Sequence, residues 1–204
     1  MRFVRLKSML LAMAALAWAG AGLRAAEPGP EATIQAFHEA LLAAMKEGPA
    51  LGFEGRRQLL EPAIRATLDL PLMTRLVMGP PWRSLSAQEQ QQLVAAFSAY
   101  SIATYANRFS GYSGEVFTVL PGSSPQASGD VIVHTLLKTG DPEPVRLDYL
   151  MREKAGRWRV IDVYLSGTIS ELAARRSEYA AVLRKGGAGA LAGLLNSKAA
   201  DLAK

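Results

Sequence analysis

The sequence contains no cysteine, and this absence excludes several kinds of site at once. A chain without cysteine can form no disulfide framework, no zinc–thiolate centre and no cysteine nucleophile. Histidine is almost as scarce, because only His38 and His134 are present and neither has a partner at metal-ligand spacing. We therefore expect no metal site.

A nucleotide-binding loop is also missing. No stretch matches Gly-x-x-x-x-Gly-Lys-Ser/Thr, and the glycine-rich segment from Gly186 to Gly193 follows a predicted helix instead of a strand. A flexible break in a helix explains that segment better than a phosphate loop does. The protein is expected to bind no cofactor and to hydrolyse no ATP itself.

A strong positive charge is missing from the body of the chain, although the whole sequence has a formal net charge of +5. Four of the 23 basic residues, and none of the 18 acidic residues, lie in residues 1–26. The remainder has 19 basic and 18 acidic residues, which leaves a net charge of +1. A basic footprint for nucleic acid is therefore not predicted.

Residues 1–26 have the pattern of a secretory signal peptide. Three basic residues precede the apolar run MLLAMAALAWAGAG, which is shorter than a typical membrane-spanning helix and is followed by small residues. A retained N-terminal anchor is the alternative. No cysteine follows the run, so a lipoprotein-type attachment is not possible. A cleaved signal predicts localisation in the periplasm or outside the cell.

Helical periodicity dominates the first half of the remaining chain. Two helical stretches are predicted over about 33–47 and 53–68. Asp69 is a candidate cap for a short helix that ends before the rigid turn PPWRSLS. A Ser-x-x-Glu capping box at Ser86 predicts a long helix that ends near Phe109.

The pattern then changes from helical spacing to alternation. Short connections rich in glycine, proline and serine separate four predicted strands, at about 115–120, 130–138, 145–152 and 157–165. Strands joined by such short turns pair antiparallel. A last helix is predicted over about 169–184. This order predicts an α+β fold, with a four-stranded antiparallel sheet and helices packed on one of its faces.

The junction between the last strand and the last helix has the sequence YLSGTISEL. Some enzymes place a nucleophile at such a turn, but the pattern Gly-x-Ser-x-Gly is incomplete here. Thr168 and Glu171 form a capping-box sequence, and Gly167 permits a sharp change of direction. We interpret the junction as a strand-to-helix hinge and assign it no catalytic residue.

Three segments together resemble a known family. They are DLPLMTRLVMGPPWRSLSAQEQQQLVAAFSAYSIATYANRF, VRLDYLMREKAGRWRVIDVYLSGTISELAARRSEYAAVL and GGAGALAGLL. Their order and spacing resemble those of the periplasmic phospholipid-binding components of Mla-type ABC transport systems, also known from toluene tolerance. The resemblance covers roughly residues 32–197. At the junction, Gly-Thr-Ile-Ser replaces the Gly-Val-Ser of many members and is more similar to a branch associated with hopanoids.

The resemblance implies a soluble periplasmic lipid carrier. The expected fold is a cone of the cystatin-like or nuclear-transport-factor-like type around an apolar cavity. A single lipid-binding domain over 27–197 is expected, with a flexible tail at 198–204. The implied cargo is a phospholipid or a hopanoid-type lipid, moved between an outer-membrane lipoprotein or porin complex and an inner-membrane transporter complex. The implied carrier is a monomer and not an enzyme.

The resemblance also turns apolar positions of the helices and strands into candidate lipid-binding residues. These candidates are Met73, Leu76, Val77, Met78, Trp82, Leu93, Phe97, Tyr100, Tyr105, Val133, Leu147, Tyr149, Met151, Val163 and Leu165.

Two other hypotheses stay open at this point. A cavity enzyme acting on a hydrophobic substrate could use His134 with Asp148 or Asp162 on neighbouring strands. A non-lipid interaction module of the cell envelope would instead have a tightly packed core, without a void large enough for a ligand.

Overall fold

The computed structural model describes residues 27–204, so the predicted signal peptide lies outside the described residues. Over this range the helices are α1 (Pro30–Thr67), α2 (Leu70–Met78), a short 3-10 helix (Pro80–Ser84), α3 (Ala87–Arg108) and α4 (Glu171–Asp201). The strands are β1 (Val116–Val119), β2 (Ser124–Pro125), β3 (Val131–Lys138), β4 (Val145–Lys154), β5 (Arg157–Leu165) and β6 (Ile169–Ser170).

Helix α1 joins the two helical stretches that the sequence predicted as separate. A kink at Gly52, where φ is +61° and ψ is −176°, divides the helix into two parts. The buried side chain of Arg56 stabilises this bend. Its Nε donates to the carbonyl of Ala106 in α3 at 2.8 Å, and a terminal nitrogen donates to the carbonyl of Gly48 at 3.0 Å. Arg56 therefore ties both parts of α1 to the end of α3.

The predicted starts of α2 and α3 are present in the structure. The carboxylate of Asp69 accepts a hydrogen bond from the backbone N–H of Leu72 at 3.0 Å. At the start of α3, Ser86 and Glu89 form the predicted capping box, in which each side chain binds the backbone N–H of the other residue. These caps depend only on neighbours along the chain, and this explains why the sequence was sufficient to find them.

The sheet is antiparallel, with the strand order β1-β3-β4-β5-β6 and with β2 paired to the start of β3. The four predicted strands correspond to β1, β3, β4 and β5. Strands β2 and β6 were not predicted, because two residues are too few to produce a visible alternation. The mixed α+β fold is confirmed, and the sheet has six strands instead of four.

The start of α4 differs from the prediction. Ser170, and not Thr168, is the cap: its hydroxyl accepts from the N–H of Ala173 at 2.9 Å. The same hydroxyl donates to Asp162 of β5 at 2.5 Å, so a tertiary contact selects the cap. Helix α4 also continues past a kink at Gly187 to Asp201, into residues 198–204 for which the sequence predicted a flexible tail.

The helices cover one face of the sheet, which we call the inner face. Side chains alternate between the two faces along each strand. In β4 the inner residues Leu147, Tyr149 and Met151 are at most 9% exposed and belong to the hydrophobic core. Among residues 27–204, no helix combines the length and the apolar character that crossing a membrane requires.

Candidate functional site: an apolar cavity with a charged opening

A cavity of about 90 Å³ lies between the inner face of the sheet and helices α3 and α4. Most of its wall is apolar. The apolar lining residues are Leu68, Met73, Phe97, Tyr105, Phe109, Leu147, Tyr149, Val163, Leu165 and Leu172. They come from the residue after α1 and from α2, α3 and its C-terminal end, β4, β5 and α4, so the cavity exists only when the whole domain is assembled.

Aromatic side chains close one side of the cavity. The ring of Phe37 makes edge contacts with Tyr105 and Tyr149, with centroids 5.6 and 6.4 Å apart. Burial raises the pKa of Tyr105 to about 12 and also raises the pKa of Tyr149. Both phenols are therefore neutral at physiological pH and contribute a largely apolar surface with a hydroxyl at its edge.

His38 supports this aromatic side from behind. Its Nε2 lies 3.1 Å from the hydroxyl of Tyr149, and its ring stacks on Phe117 at 4.3 Å. Burial lowers the pKa of His38 to about 4. The imidazole is therefore neutral, and the wall of the cavity carries no charge at this position.

The exposed end of the cavity, here called the opening, is charged. Arg108 from the last turn of α3 meets Glu171 and Arg175 from the first turns of α4. The side chain of Arg108 is 55% exposed, whereas those of Glu171 and Arg175 are 18% and 20% exposed. The cavity thus has apolar walls and an opening in contact with water, which is an arrangement suited to an amphipathic ligand.

The structure divides the fifteen candidate lipid-binding residues into two groups. Seven line the cavity: Met73, Phe97, Tyr105, Leu147, Tyr149, Val163 and Leu165. The other eight pack in or against the core away from that lining: Leu76, Val77, Met78, Trp82, Leu93, Tyr100, Val133 and Met151. Of these eight, Leu76 and Trp82 also line a groove on the outside of α2 and the 3-10 helix. Contact with lipid stays a prediction for all fifteen.

Several lining residues were not identified from the sequence. Ser101 and Thr104 are polar residues of α3 whose positions on the cavity side depend on the rotation of that helix. The charged residues of the opening were not identified as a group either. The i,i+4 spacing of Glu171 and Arg175 was visible in the sequence, but their approach to Arg108 arises only from the packing of α3 against α4.

The three residues considered for a cavity enzyme lie on the outer face of the sheet. Asp148 stands between the inner residues Leu147 and Tyr149, and Asp162 precedes the inner residue Val163. His134 is paired with Asp148 across the strands. None of the three lines the cavity, so they cannot act on a substrate inside it.

Two of these outer residues, His134 and Asp148, instead belong to a hydrogen-bonded network, whereas Asp162 binds Ser170. His134 Nδ1 lies 3.0 Å from Asp148 and its Nε2 lies 2.8 Å from the hydroxyl of Ser124. The guanidinium of Arg146 binds both carboxylate oxygens of Asp148. Burial alone would raise the pKa of Asp148, but the hydrogen bonds from Arg146 and His134 outweigh it and lower the pKa. The network connects β2, β3 and β4.

Metal binding has no support in the geometry of the described domain. Over residues 27–204, no group of three or more histidine, aspartate or glutamate side chains could hold a metal ion. The charged groups of the opening consist of one carboxylate and two guanidiniums, a set that suits an anionic group better than a cation.

The fold and the site together define an α+β protein whose antiparallel sheet and helices enclose an apolar cavity with a charged opening. A family model described as MlaC protein matches residues 35–197, which is most of the chain, and the chain therefore belongs to the MlaC family. This confirms the family that the three sequence segments indicated.

A solved structure supports the same assignment. The chain is 27% identical to the phospholipid-binding protein from Ralstonia solanacearum, whose structure was determined in complex with a phospholipid. The TM-score is 0.75, and the match covers 87% of this chain and 100% of that one. The family and this relative both point to a binding or transport protein and not to an enzyme.

Proposed function

We propose that this protein is a periplasmic carrier that binds the acyl chains of a phospholipid in the apolar cavity. The observation that carries the proposal is the continuous apolar lining, which runs from Leu68 and Met73 to Leu165 and opens to water beside charged residues. Membership of the MlaC family, whose members are periplasmic, and similarity to a phospholipid-binding protein support it.

The proposed carrier solves a physical problem of lipid transport. Each methylene group moved from water into an apolar site contributes about 0.8 kcal/mol. A lipid with roughly 30 methylenes therefore needs on the order of 20 kcal/mol to be exposed fully to water. An apolar cavity removes most of this cost during transfer. We further propose that one copy of the chain shuttles between an outer-membrane complex and an inner-membrane transporter complex.

The cavity must widen before it can hold such a ligand. Its volume is about 90 Å³, whereas sites for small molecules commonly measure about 300–1,000 Å³. The lining belongs partly to the sheet and partly to α3 and α4. Movement of the two helices away from β4 and β5 is the simplest way to enlarge the space, because the sheet is held by its own hydrogen bonds.

Lipid extraction provides the primary test. The secreted protein is purified from cells and its extract is analysed by mass spectrometry, and uptake of labelled phospholipid from vesicles is measured in parallel. A stoichiometric phospholipid and saturable uptake are expected. A hopanoid in the extract would replace the phospholipid as cargo, and the absence of both lipids together with no uptake would contradict the carrier function.

A matched pair of variants then tests the cavity as the binding site. Val163→Trp fills space inside the cavity, whereas Tyr164→Trp places the same side chain one residue away on the outer face. We expect lipid uptake to fall at least about tenfold in the first variant and to be unchanged in the second. Equal uptake by both variants would place the lipid elsewhere.

A further inference from the structure

Two arginines approach the opening of the cavity from different helices. Arg108 is the last residue of α3, and Arg175 lies in the second turn of α4. The guanidinium of Arg175 lies over the ring of Tyr100, 5.6 Å from the ring centroid. This contact limits the positions that Arg175 can adopt, and both cations line the cavity.

A single carboxylate lies between these two cations. One oxygen of Glu171 is 2.7 Å from Arg175, and the other oxygen is 3.9 Å from Arg108. The carboxylate thus offers one oxygen to each guanidinium. The three side chains together carry a net charge of +1, because two positive groups share one negative group.

The phosphate of a lipid can make the same bridge. A phosphodiester has one negative charge and two equivalent oxygens, and guanidinium groups bind such oxygens with charge-assisted hydrogen bonds. A lipid whose chains occupy the cavity must keep its polar group near the opening, where the arginines are. The cluster matches the position, the charge and the geometry of that group.

We propose that Arg108 and Arg175 bind the phosphate of the transported lipid, and that Glu171 occupies its place in the lipid-free protein. The inference rests on the proposed function, because the phosphate reaches the arginines only if the chains enter the cavity. Glu171 holds the two guanidiniums in position and is displaced when the phosphate enters. The cluster selects phosphate-bearing lipids over uncharged ones such as a neutral polycyclic lipid.

The test compares two lipids that differ only in the polar group. Vesicles contain either fluorescent phosphatidylglycerol or fluorescent diacylglycerol with the same acyl chains, and the affinity of the purified protein for each is measured. The wild-type protein is expected to bind phosphatidylglycerol roughly tenfold more tightly than diacylglycerol, since a charge-assisted hydrogen bond that is partly exposed to water changes an affinity by about this factor. Added salt should reduce the preference.

Substitution of the arginines should remove this preference. Arg108→Gln and Arg175→Gln are each expected to weaken phosphatidylglycerol binding about three- to tenfold relative to diacylglycerol binding. Arg176→Gln is the matched control, because it removes the same charge from the next residue of α4, which is exposed and does not line the cavity. Melting temperatures of the three variants establish that each is folded.

Glu171→Gln should change the affinity for phosphatidylglycerol in the opposite direction. If Glu171 competes with phosphate, its neutralisation should strengthen phosphatidylglycerol binding by about threefold or more. An ion pair that only stabilises the fold would leave the affinity unchanged or lower it. Because glutamine retains the size of glutamate, this variant should fold even if an arginine variant does not.

The outcomes separate this inference from the proposed function. If the two lipids bind equally well and neither Arg108→Gln nor Glu171→Gln changes their ratio, the phosphate site is refuted while the carrier function stands. If neither lipid binds, the carrier function itself fails and the phosphate site fails with it. A preference lost in the arginine variants, gained in Glu171→Gln and kept in Arg176→Gln supports the proposal.

Discussion

The two faces of the sheet are built from alternate residues of the same strands, but different interactions stabilise them. In β4, Leu147 and Tyr149 of the inner face pack against apolar neighbours and line the cavity. Arg146, Asp148 and Arg152 of the outer face form ion pairs with partners on β3 and β4 or beside them. One strand therefore contributes to an apolar cavity and to a polar network at once.

The titratable groups on the two sides show the physical difference. His38, on the inner side, has no charged partner among residues 27–204, so burial lowers its pKa and keeps the ring neutral. Asp130, near the outer face, is buried as well, but Arg152 binds both of its oxygens at 2.6 and 2.7 Å. These bonds lower the pKa of Asp130 and keep it charged. A buried titratable group stays neutral where it has no partner of opposite charge, and it can stay charged where it has one.

A charge placed on the inner face should give the largest effect. Leu147→Asp puts a carboxylate into the apolar wall of the cavity, whose two lining arginines already share Glu171 at the opening. We expect the free energy of unfolding at pH 7 to fall by about 3–5 kcal/mol, the cost of an unpaired buried charge. Urea denaturation measures this loss, and the deficit should shrink at pH 5 as the new carboxyl becomes protonated.

The matched control is the neighbouring residue on the other face. Asp148→Asn keeps the size of the side chain but removes the charge that binds Arg146. The expected loss of stability is about 1 kcal/mol, and lipid uptake should be unaffected. If both substitutions cost the same, the assignment of the two faces would be wrong.

Acidification should destabilise the protein through His38, by a somewhat smaller amount than Leu147→Asp does. The pKa of His38 is about 4 in the folded protein and about 6.5 in an unfolded chain. Between these values the unfolded state binds more protons, so the stability contributed by neutral His38 falls as the pH falls from 6.5 to 4. The expected loss is about 3 kcal/mol.

A neutral substitution isolates this contribution. His38→Gln cannot titrate, so its free energy of unfolding should fall less than that of the wild type between pH 7 and pH 4.5, although the variant starts from a lower value. The chain's other histidine, His134, is present in both proteins, so the difference between the two slopes reports His38. An unchanged slope in His38→Gln would show that its ring is not buried as a neutral group.

The alternation that creates the two faces was predictable from the sequence, because strand side chains repeat every two residues. The caps at Asp69 and Ser86 were predictable for a similar reason, since both depend on local neighbours. The cap at Ser170 was not, because Asp162 selects it from a different element. Local rules therefore predicted the longer strands and the starts of α2 and α3, but not β2, β6 or the full length of α4.

The cavity was predictable only in part. The sequence indicated apolar residues such as Phe97 and Val77, but both are apolar members of helices and nothing local separates them. Only the rotation of each helix in the assembled fold puts Phe97 in the lining and Val77 in the core. The opening was missed for the same reason, since α3 and α4 bring Arg108 and Glu171 together across a long separation in sequence.

A substitution on the outer face should have an intermediate effect on stability and thus refine the comparison between the two faces of the sheet. Arg152→Gln removes the positive charge that binds both oxygens of Asp130 and leaves the hydroxyl of Ser128 in place. We expect a loss of about 1–2 kcal/mol at pH 7, measured by urea denaturation. In the wild type the lowered pKa of Asp130 contributes stability above the ordinary aspartate pKa of about 4, and this contribution is lost as the pH falls further. The difference between wild type and variant should therefore shrink toward pH 3, and a constant difference would show that the ion pair is not its cause.

The smallest effect is expected where an ion pair has no buried member. Arg65 and Glu61 lie one turn apart on α1 at 2.7 Å, but their side chains are 53% and 29% exposed. Water competes for both charges and salt screens them, so Arg65→Gln should change the free energy of unfolding by less than about 0.5 kcal/mol. The bond lengths at Arg65 and Arg152 are nearly equal, but Arg152 binds both oxygens of a buried carboxylate, whereas Arg65 binds one oxygen of a half-buried carboxylate. Measuring both variants in one urea series tests whether these two differences matter: similar losses would mean that neither burial nor the second hydrogen bond strengthens the pair.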